Sequence, residues 1–68
     1  MKLVTHLTEC RKAAGFTQSQ LAELVGVSRK TINTVENQVF VPSTVLALKL
    51  AHALNCSVHD LFELPKDS

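Results

Sequence analysis

The chain has 68 residues, of which 46% are hydrophobic, and this length suits one small globular domain spanning residues 1–68. It leaves little room for an enclosed substrate pocket. It also has no run of about 18 apolar residues that could cross a membrane and no signal-peptide pattern, so we expect a cytoplasmic protein. The net charge is only +1, yet five basic and three acidic residues precede Gln38, against two basic and three acidic residues from there on. The N-terminal half therefore has the charge that contact with phosphates requires.

The first two predicted helices each carry a clear end signal. Helix one is predicted over residues 3–14, where one apolar stripe is formed by Leu3, Leu7, Cys10 and Ala14, and Gly15 supplies the left-handed residue that ends it. Helix two begins with Thr17 as N-cap and Gln20 as its capping-box partner. Gly26 ends helix two, and its inward face is predicted to consist of Leu21, Leu24 and Val25.

Helix three is predicted to have one apolar and one polar face. Ser28 is its N-cap, and Ile32 and Val35 lie on the inward side at helical spacing. The opposite side consists entirely of polar, hydrogen-bonding side chains: Arg29, Lys30, Asn33 and Thr34. On an ordinary surface helix such a polar face would simply be solvated. Whether it binds a ligand has to be judged from the helix and turn that precede it in the chain.

Two further helices complete the predicted chain. Pro42 closes a loop over residues 38–41, and Ser43 caps a fourth helix that is apolar nearly all round and therefore expected to be central. Its apolar residues are Val45, Leu46, Leu48, Leu50, Ala51 and Leu54. Ser57 and Asp60 form a capping box for a short fifth helix that runs through Val58, Leu61, Phe62 and Leu64 and stops at Pro65. The predicted fold class is an all-α, compact five-helix bundle.

The two cysteines and three histidines give little sign of a cofactor. Cys10 and Cys56 lie in apolar patterns and are expected to be small buried hydrophobes. His52, Cys56 and His59 have helical i, i+4, i+7 spacing, but a helix break is predicted between them and a fourth zinc ligand is lacking. We expect neither a metal nor another cofactor. The sequence also shows no phosphate-binding glycine loop and no nucleophile elbow, so an enzyme is not expected.

Residues 17–37 carry the functional signal. Ala22 and Gly26 are small enough for helices two and three to cross closely, and Ile32 fills the angle between them, as in a helix-turn-helix. The chain resembles the Xre/Cro-type family of helix-turn-helix regulators over about residues 7–64. The resemblance rests on Phe16-Thr17-Gln18, Leu21-Ala22-Glu23, Gly26-Val27-Ser28, Thr31-Ile32-Asn33, Glu36-Asn37, Pro42-Ser43 and Asp60-Leu61-Phe62.

The resemblance implies a lambda-repressor-like fold and a role for individual residues. Arg29, Lys30 and Thr34 match positions whose side chains reach base edges in the major groove, and these side chains have the groups to do so. Gln18 matches a position that touches a phosphate and braces helix three. Backbone contact or support of the helices is expected from Thr17, Ser28, Thr31, Asn33 and Asn37.

Two positions leave alternatives open. Arg11 and Glu36 match a pair that forms an internal ion pair in relatives, although Arg11 could instead point outward to a phosphate. We favour the pair, because Glu36 lies on the edge of the inward face of helix three. Where most relatives have glycine after helix three, this chain has Gln38, so we expect Asn37 to adopt the left-handed conformation in its place.

The expected function is that of a sequence-specific transcriptional regulator of a prokaryote or phage, associated with the nucleoid. We expect a repressor that binds a (pseudo)palindromic operator in double-stranded DNA as a homodimer. Helix five has more apolar surface than one small core needs, so the dimer contacts are predicted at Val58, Phe62 and Leu64, with Phe40 nearby. The alternative is an antitoxin or accessory module that binds another protein through this surface as well as DNA.

Overall fold

The computed structural model describes residues 3–66, and this part of the chain forms five helices and one two-stranded sheet. The elements in chain order are β1 (Val4–Thr5), α1 (Leu7–Ala13), α2 (Gln18–Val25), α3 (Arg29–Glu36), α4 (Thr44–Ala53), α5 (Val58–Leu61) and β2 (Phe62–Glu63). The predicted helical architecture is confirmed, and the two strands are an addition to it. None of the helices within residues 3–66 has the length and apolar character needed to cross a membrane.

The predicted N-caps are all present. In each of four helices a hydroxyl accepts a hydrogen bond from the backbone N–H three residues later, which satisfies one of the free donors of the first turn. The pairs are Thr17 with Gln20 at 3.0 Å, Ser28 with Thr31 at 3.2 Å, Ser43 with Leu46 at 3.1 Å and Ser57 with Asp60 at 3.1 Å. In α2 and α5 the side chain of the third residue also accepts from the cap's own N–H, completing the capping boxes.

The ends of α1, α2, α3 and α4 follow one pattern. The residue after the last helical turn has a positive φ in four places: Gly15 at 81°, Gly26 at 75°, Gln38 at 62° and Asn55 at 54°. The prediction that Asn37 would be left-handed is wrong, because Asn37 has φ −90° and Gln38 takes the position. The N–H of Val39 donates to Thr34 O at 2.9 Å and that of Gln38 to Val35 O at 3.2 Å, the pair of bonds that closes a Schellman motif.

Helix α1 begins four residues later than predicted. Residues Val4 and Thr5 pair instead with Glu63 and Phe62 in an antiparallel sheet, which suits their β-branched side chains. The Thr5 hydroxyl accepts the Leu7 N–H at 3.2 Å, and this bond supports the first turn of α1 in place of a side-chain cap at His6. Leu3 packs against the core from outside the helix.

Helix α5 is shorter than predicted, because Phe62 leaves the helical conformation with φ −136° and ψ 143°. The helix therefore ends before Leu64 and without the help of Pro65. The strand that follows turns Phe62 into the core, where 6% of its surface is exposed.

The core lies where α2, α3 and α4 meet α1 and α5. Its largest fully buried side chains are Leu7, Leu21, Ile32, Val35, Leu50 and Leu61. Two predictions about burial are wrong. Leu24, predicted on the inward face of α2, is exposed, and Ala22 is buried there instead. Val45 and Leu48 of α4, a helix predicted to be central, are 62% and 57% exposed. The small domain has neighbours for only part of the α4 surface, mainly α2 and α5, so an apolar residue on the remaining side has nothing to cover it.

Candidate nucleic-acid interface

Helices α2 and α3 cross closely through a short turn. Ala22 is 3% exposed and Ile32 is fully buried between the helices, as their sizes and positions predict. Gly26 has φ 75°, and the N–H of Val27 donates back to Ala22 O at 3.0 Å, so the chain reverses within three residues and enters α3 at Ser28. This is the geometry of a helix-turn-helix, and it fixes the orientation of α3 relative to α2.

The side of α3 that faces away from the core is polar along its whole length. Arg29 and Lys30 in the first turn are exposed, and Thr31, Asn33 and Thr34 are half-buried. The two cations lie at the helix N-terminus, where the helix dipole disfavours positive charge. A bound phosphate or base edge beside them would offset that cost, whereas solvent alone offers less.

The polar residues around the two cations are partly engaged within the helix. The Ser28 and Thr31 hydroxyls lie 3.0 Å apart, and the Thr34 hydroxyl donates to Thr31 O at 2.9 Å. Asn37 Nδ2 donates to Asn33 Oδ1 at 3.2 Å, one turn away. These bonds hold the side chains in defined positions, and the Thr34 oxygen keeps its acceptor capacity for another partner.

The predicted ion pair between α1 and α3 is present. Arg11 Nε donates to Glu36 Oε2 at 2.6 Å and Arg11 Nη2 to Glu36 Oε1 at 3.3 Å, so the guanidinium grips both carboxylate oxygens. Arg11 Nη1 donates to Phe16 O at 2.9 Å. The two side chains are only 11% and 5% exposed. In this structure Arg11 is therefore an internal residue rather than a phosphate contact.

Gln18 joins the same network from the first turn of α2. Its Nε2 donates to Glu36 Oε1 at 3.0 Å, so it braces α3 as the resemblance implies. Burial, the largest single influence, favours the neutral form of Glu36, but hydrogen bonds from Arg11, Gln18 and Thr8 together with the Arg11 charge outweigh it and lower the Glu36 pKa. Glu36 is thus a carboxylate that ties α3 to both α1 and α2.

A contact that the sequence did not predict holds the exit of α3. Gln38 Nε2 donates to Leu3 O at 2.9 Å, which connects the second residue after α3 to the residue that precedes β1. An amide side chain at a position where glycine is usual could have indicated such a contact. The sequence could not identify the partner, because it lies 35 residues away. Helix α3 is consequently held at its end by Glu36 and just beyond it by Gln38.

The residues predicted for a dimer do not form one free surface. Phe62 fills the core at 6% exposure and Val58 packs against it half-buried, so Phe62 has almost no surface to offer a partner. Leu64 and Phe40 are 68% and 47% exposed. In the part of the chain described, no three His, Cys, Asp or Glu side chains come together as a metal site would require.

Comparison with known proteins assigns the family. The helix-turn-helix family model matches residues 7–61. The chain belongs to the Xre-type helix-turn-helix family. A transcriptional regulator of this type from Methanothermobacter thermautotrophicus is 44% identical over 64 residues, which cover 93% of each chain.

Solved structures agree with the family assignment. The restriction-modification controller protein C.AhdI from Aeromonas hydrophila superposes with a TM-score of 0.75 at 39% identity, over 79% of this chain and 82% of that one. The biofilm regulator SinR of Bacillus subtilis, solved in complex with DNA, gives a TM-score of 0.73 at 31% identity, over 78% and 86% of the two chains. This chain is therefore a transcriptional regulator with a helix-turn-helix DNA-binding domain, and not an enzyme.

Proposed function

We propose that the protein is a repressor that recognises a specific double-stranded operator by placing α3 in the major groove. The observation that carries this proposal is the separation of roles along α3. Arg29 and Lys30 are exposed at its first turn, while Glu36 at its last turn is fixed to α1 and α2. A helix that is held at one end and presents free donors at the other is suited to meeting guanine O6 and N7. Thr34, one turn further along, is placed to meet a thymine methyl or an acceptor.

The surrounding polar residues are proposed to contact the DNA backbone or to support the helices. Thr17 and Ser28 cap α2 and α3, and their helix N-termini direct backbone N–H groups and positive dipole ends outward. Gln18 stands in the first turn of α2, where a phosphate could be reached beside its bond to Glu36. Thr31, Asn33 and Asn37 flank the base-contacting residues. With a net charge of +1, local phosphate contacts rather than the overall charge have to supply the affinity.

A homodimer is part of the proposal, because one short helix contacts only a few base pairs. Two copies would place their α3 helices about 34–36 Å apart on a palindromic site, which is one turn of DNA. The exposed side chains of Leu64 and Phe40 support this, since apolar groups that the monomer leaves uncovered favour association. Phe62 and the half-buried Val58 pack in the core, so the proposed contact rests on Leu64 and Phe40.

The DNA proposal is tested by selecting the preferred sequence from a random duplex library and titrating it by fluorescence anisotropy. Arg29→Ala and Lys30→Ala should each weaken specific binding by about 1–3 kcal/mol, roughly 5- to 150-fold. A base-contacting residue should also lose preference at one base pair, whereas a phosphate contact should lower the salt slope uniformly. Lys49→Ala, an exposed lysine of α4, is the matched control. If all three variants bound like the wild type, α3 would not be the contacting helix.

The dimer and repressor parts have their own measurements. Sedimentation with and without the selected operator should give two chains per duplex, and Leu64→Glu should lower that ratio without changing the circular dichroism spectrum. A promoter–reporter fusion carrying the operator should fall in activity when the protein is expressed. A single chain bound per duplex at saturation would exclude the dimer while leaving DNA binding intact.

The alternative of an antitoxin or accessory module is favoured by the apolar side chains left exposed elsewhere. Val45 and Leu48 of α4, together with Leu24 of α2, lie outside the proposed dimer contacts and are more than half exposed. A protein partner could cover them. Copurification of one protein at fixed stoichiometry, lost in Leu48→Glu but retained in Leu64→Glu, would favour this function over simple repression.

A further inference from the structure

One imidazole connects the N-terminal and C-terminal parts of the described chain. His6, between β1 and α1, has its Nε2 2.8 Å from Glu63 Oε1 of β2 and its Nδ1 3.4 Å from Glu9 Oε2 of α1. A neutral imidazole has one N–H and can donate to one of these carboxylates only. The imidazolium carries both N–H groups and can serve both. The side chains of His6, Glu9 and Glu63 are here called the His6 clasp.

The clasp lies directly on the smallest and least supported element of the fold. The sheet has two residues in each strand, with Val4 opposite Glu63 and Thr5 opposite Phe62. The His6 N–H adds one bond to Leu61 O at 2.7 Å. Isolated two-stranded sheets are marginal in water even when they are longer. An additional interaction at this point can therefore shift the balance between the paired and separated strands.

We propose that protonation of His6 stabilises the pairing of β1 with β2, and that its deprotonation at higher pH weakens this pairing while the helices remain folded. The change is local because, within residues 3–66, the ion pairs of the clasp join His6 to one residue of α1 and one of β2. Release would uncover Phe62, the core side chain that β2 carries, and would loosen Leu3, whose carbonyl accepts the Gln38 bond. The clasp would thus control how firmly β1 and β2 cover the core.

The direction of the pH dependence follows from the partners of His6. The hydrogen bond with Glu63 and then that with Glu9 raise the His6 pKa above its ordinary value of 6.5, and these outweigh the opposing effect of burial. The carboxylates that face His6 are Glu9 from α1 and Glu63 from β2, and the β1 side contributes none among the described contacts. When the strands separate, His6 loses Glu63 and keeps Glu9 in its own segment, so its pKa falls back towards the ordinary value of 6.5. The clasp is therefore at full strength below about pH 6.5 and is lost as the pH rises through the raised pKa.

Amide hydrogen exchange measured by NMR on the full chain tests the proposal. The protection factor of the His6 amide, corrected for the intrinsic pH dependence of exchange, should fall about two- to fivefold between pH 5.5 and 8.5, as expected for the loss of an exposed charge pair. The Leu50 amide in α4 should keep its protection, which reports that the helices stay folded. A parallel titration of the His6 ring resonances should show the raised pKa, and Glu63→Gln should lower it.

His6→Gln provides the decisive comparison, because its side chain can donate to Glu63 but does not titrate. In His6→Gln the backbone amide at position 6 should have the same protection factor at both pH values. In Glu63→Gln the protection factor of that amide should change less than in the wild type. Glu9→Gln should have a smaller effect than Glu63→Gln, in line with its longer distance. A pH-independent protection factor in the wild type, or an equal fall in His6→Gln, would overturn the proposal.

Discussion

Removing one member of the Arg11–Glu36 pair should destabilise the fold much more than the loss of an ordinary surface ion pair. The two side chains are 11% and 5% exposed, and the carboxylate is gripped by two guanidinium nitrogens. Arg11→Ala leaves the Glu36 charge with the Gln18 amide and the Thr8 hydroxyl as its main partners. Glu36→Ala leaves the guanidinium with Phe16 O. In each case a largely desolvated charge loses its counter-ion.

The loss in the free energy of unfolding lies between two limits. Unit charges about 4 Å apart interact by about 4 kcal/mol at an effective dielectric constant of 20, and exposed pairs are worth only about 0–1 kcal/mol. For a pair this buried, removing one partner is expected to cost about 3–5 kcal/mol, because the remaining charge stays desolvated. A domain of 68 residues has a total stability of roughly 3–10 kcal/mol. Either single substitution should thus remove a large share of the stability.

Urea denaturation followed by circular dichroism at pH 7 measures these effects. The set consists of both alanine variants, their double mutant and Lys12→Ala, an exposed neighbour on α1 that should change stability by less than about 0.5 kcal/mol. Where an alanine variant is unfolded in buffer, Arg11→Lys and Glu36→Gln supply the milder perturbation. The double mutant removes both charges, so we expect it to lose less than the sum by about 1–3 kcal/mol. Strict additivity would refute the view that the pair acts as a unit.

Two further stability changes follow from the same region. Because the Glu36 pKa is lowered in the fold, its contribution is present above its ordinary pKa of 4.5 and is lost as the pH falls through the depressed value, so the urea midpoint should drop below about pH 4.5. Glu36→Gln should show a smaller drop over the same range, and an equal drop would assign the acid sensitivity to other carboxyl groups. Gln38→Gly should be about 1 kcal/mol more stable than Gln38→Ala, because both lose the bond to Leu3 O and only glycine adopts φ 62° without strain. Thermal unfolding should separate these two variants by about 4–8 °C, and coincident curves would show that the left-handed conformation carries no cost at this position.

The helix starts could be predicted from sequence because each N-cap bond connects residues three apart. Thr17 with Gln20 and Ser57 with Asp60 need no knowledge of the rest of the fold. The sheet could not be predicted in the same way. Its strands are two residues long, which is too short for an alternating pattern, and Val4 pairs with a residue 59 positions later, at Glu63. Local chemistry specified the caps, whereas long-range pairing specified the strands.

The sequence predicts burial well where small residues indicate that two helices cross. It predicts burial poorly where the apolar character of a side chain is the only evidence. Ala22 and Ile32 were placed at the α2–α3 crossing by their sizes, and both are buried. Apolar character alone predicts that Leu24 and Leu48 lie inside, but both are more than half exposed. The number of neighbouring elements, which a single sequence does not state, decides whether such a side chain is covered. The apolar residues left outside are therefore better indicators of association than of the core.

If α3 contacts the bases as proposed, its arrangement allows the preferred DNA sequence to vary without loss of the fold. The residues that fix the orientation of α3 are at its inner face and its end, namely Ile32, Glu36 and the following Gln38, and their partners lie on other elements. Arg29 and Lys30, at the opposite end, make no contribution to that network. Substitutions there should change which bases are preferred at little cost in stability. Under the same proposal, Arg11→Ala should weaken DNA binding indirectly, because the orientation of α3 depends on the carboxylate to which Arg11 donates.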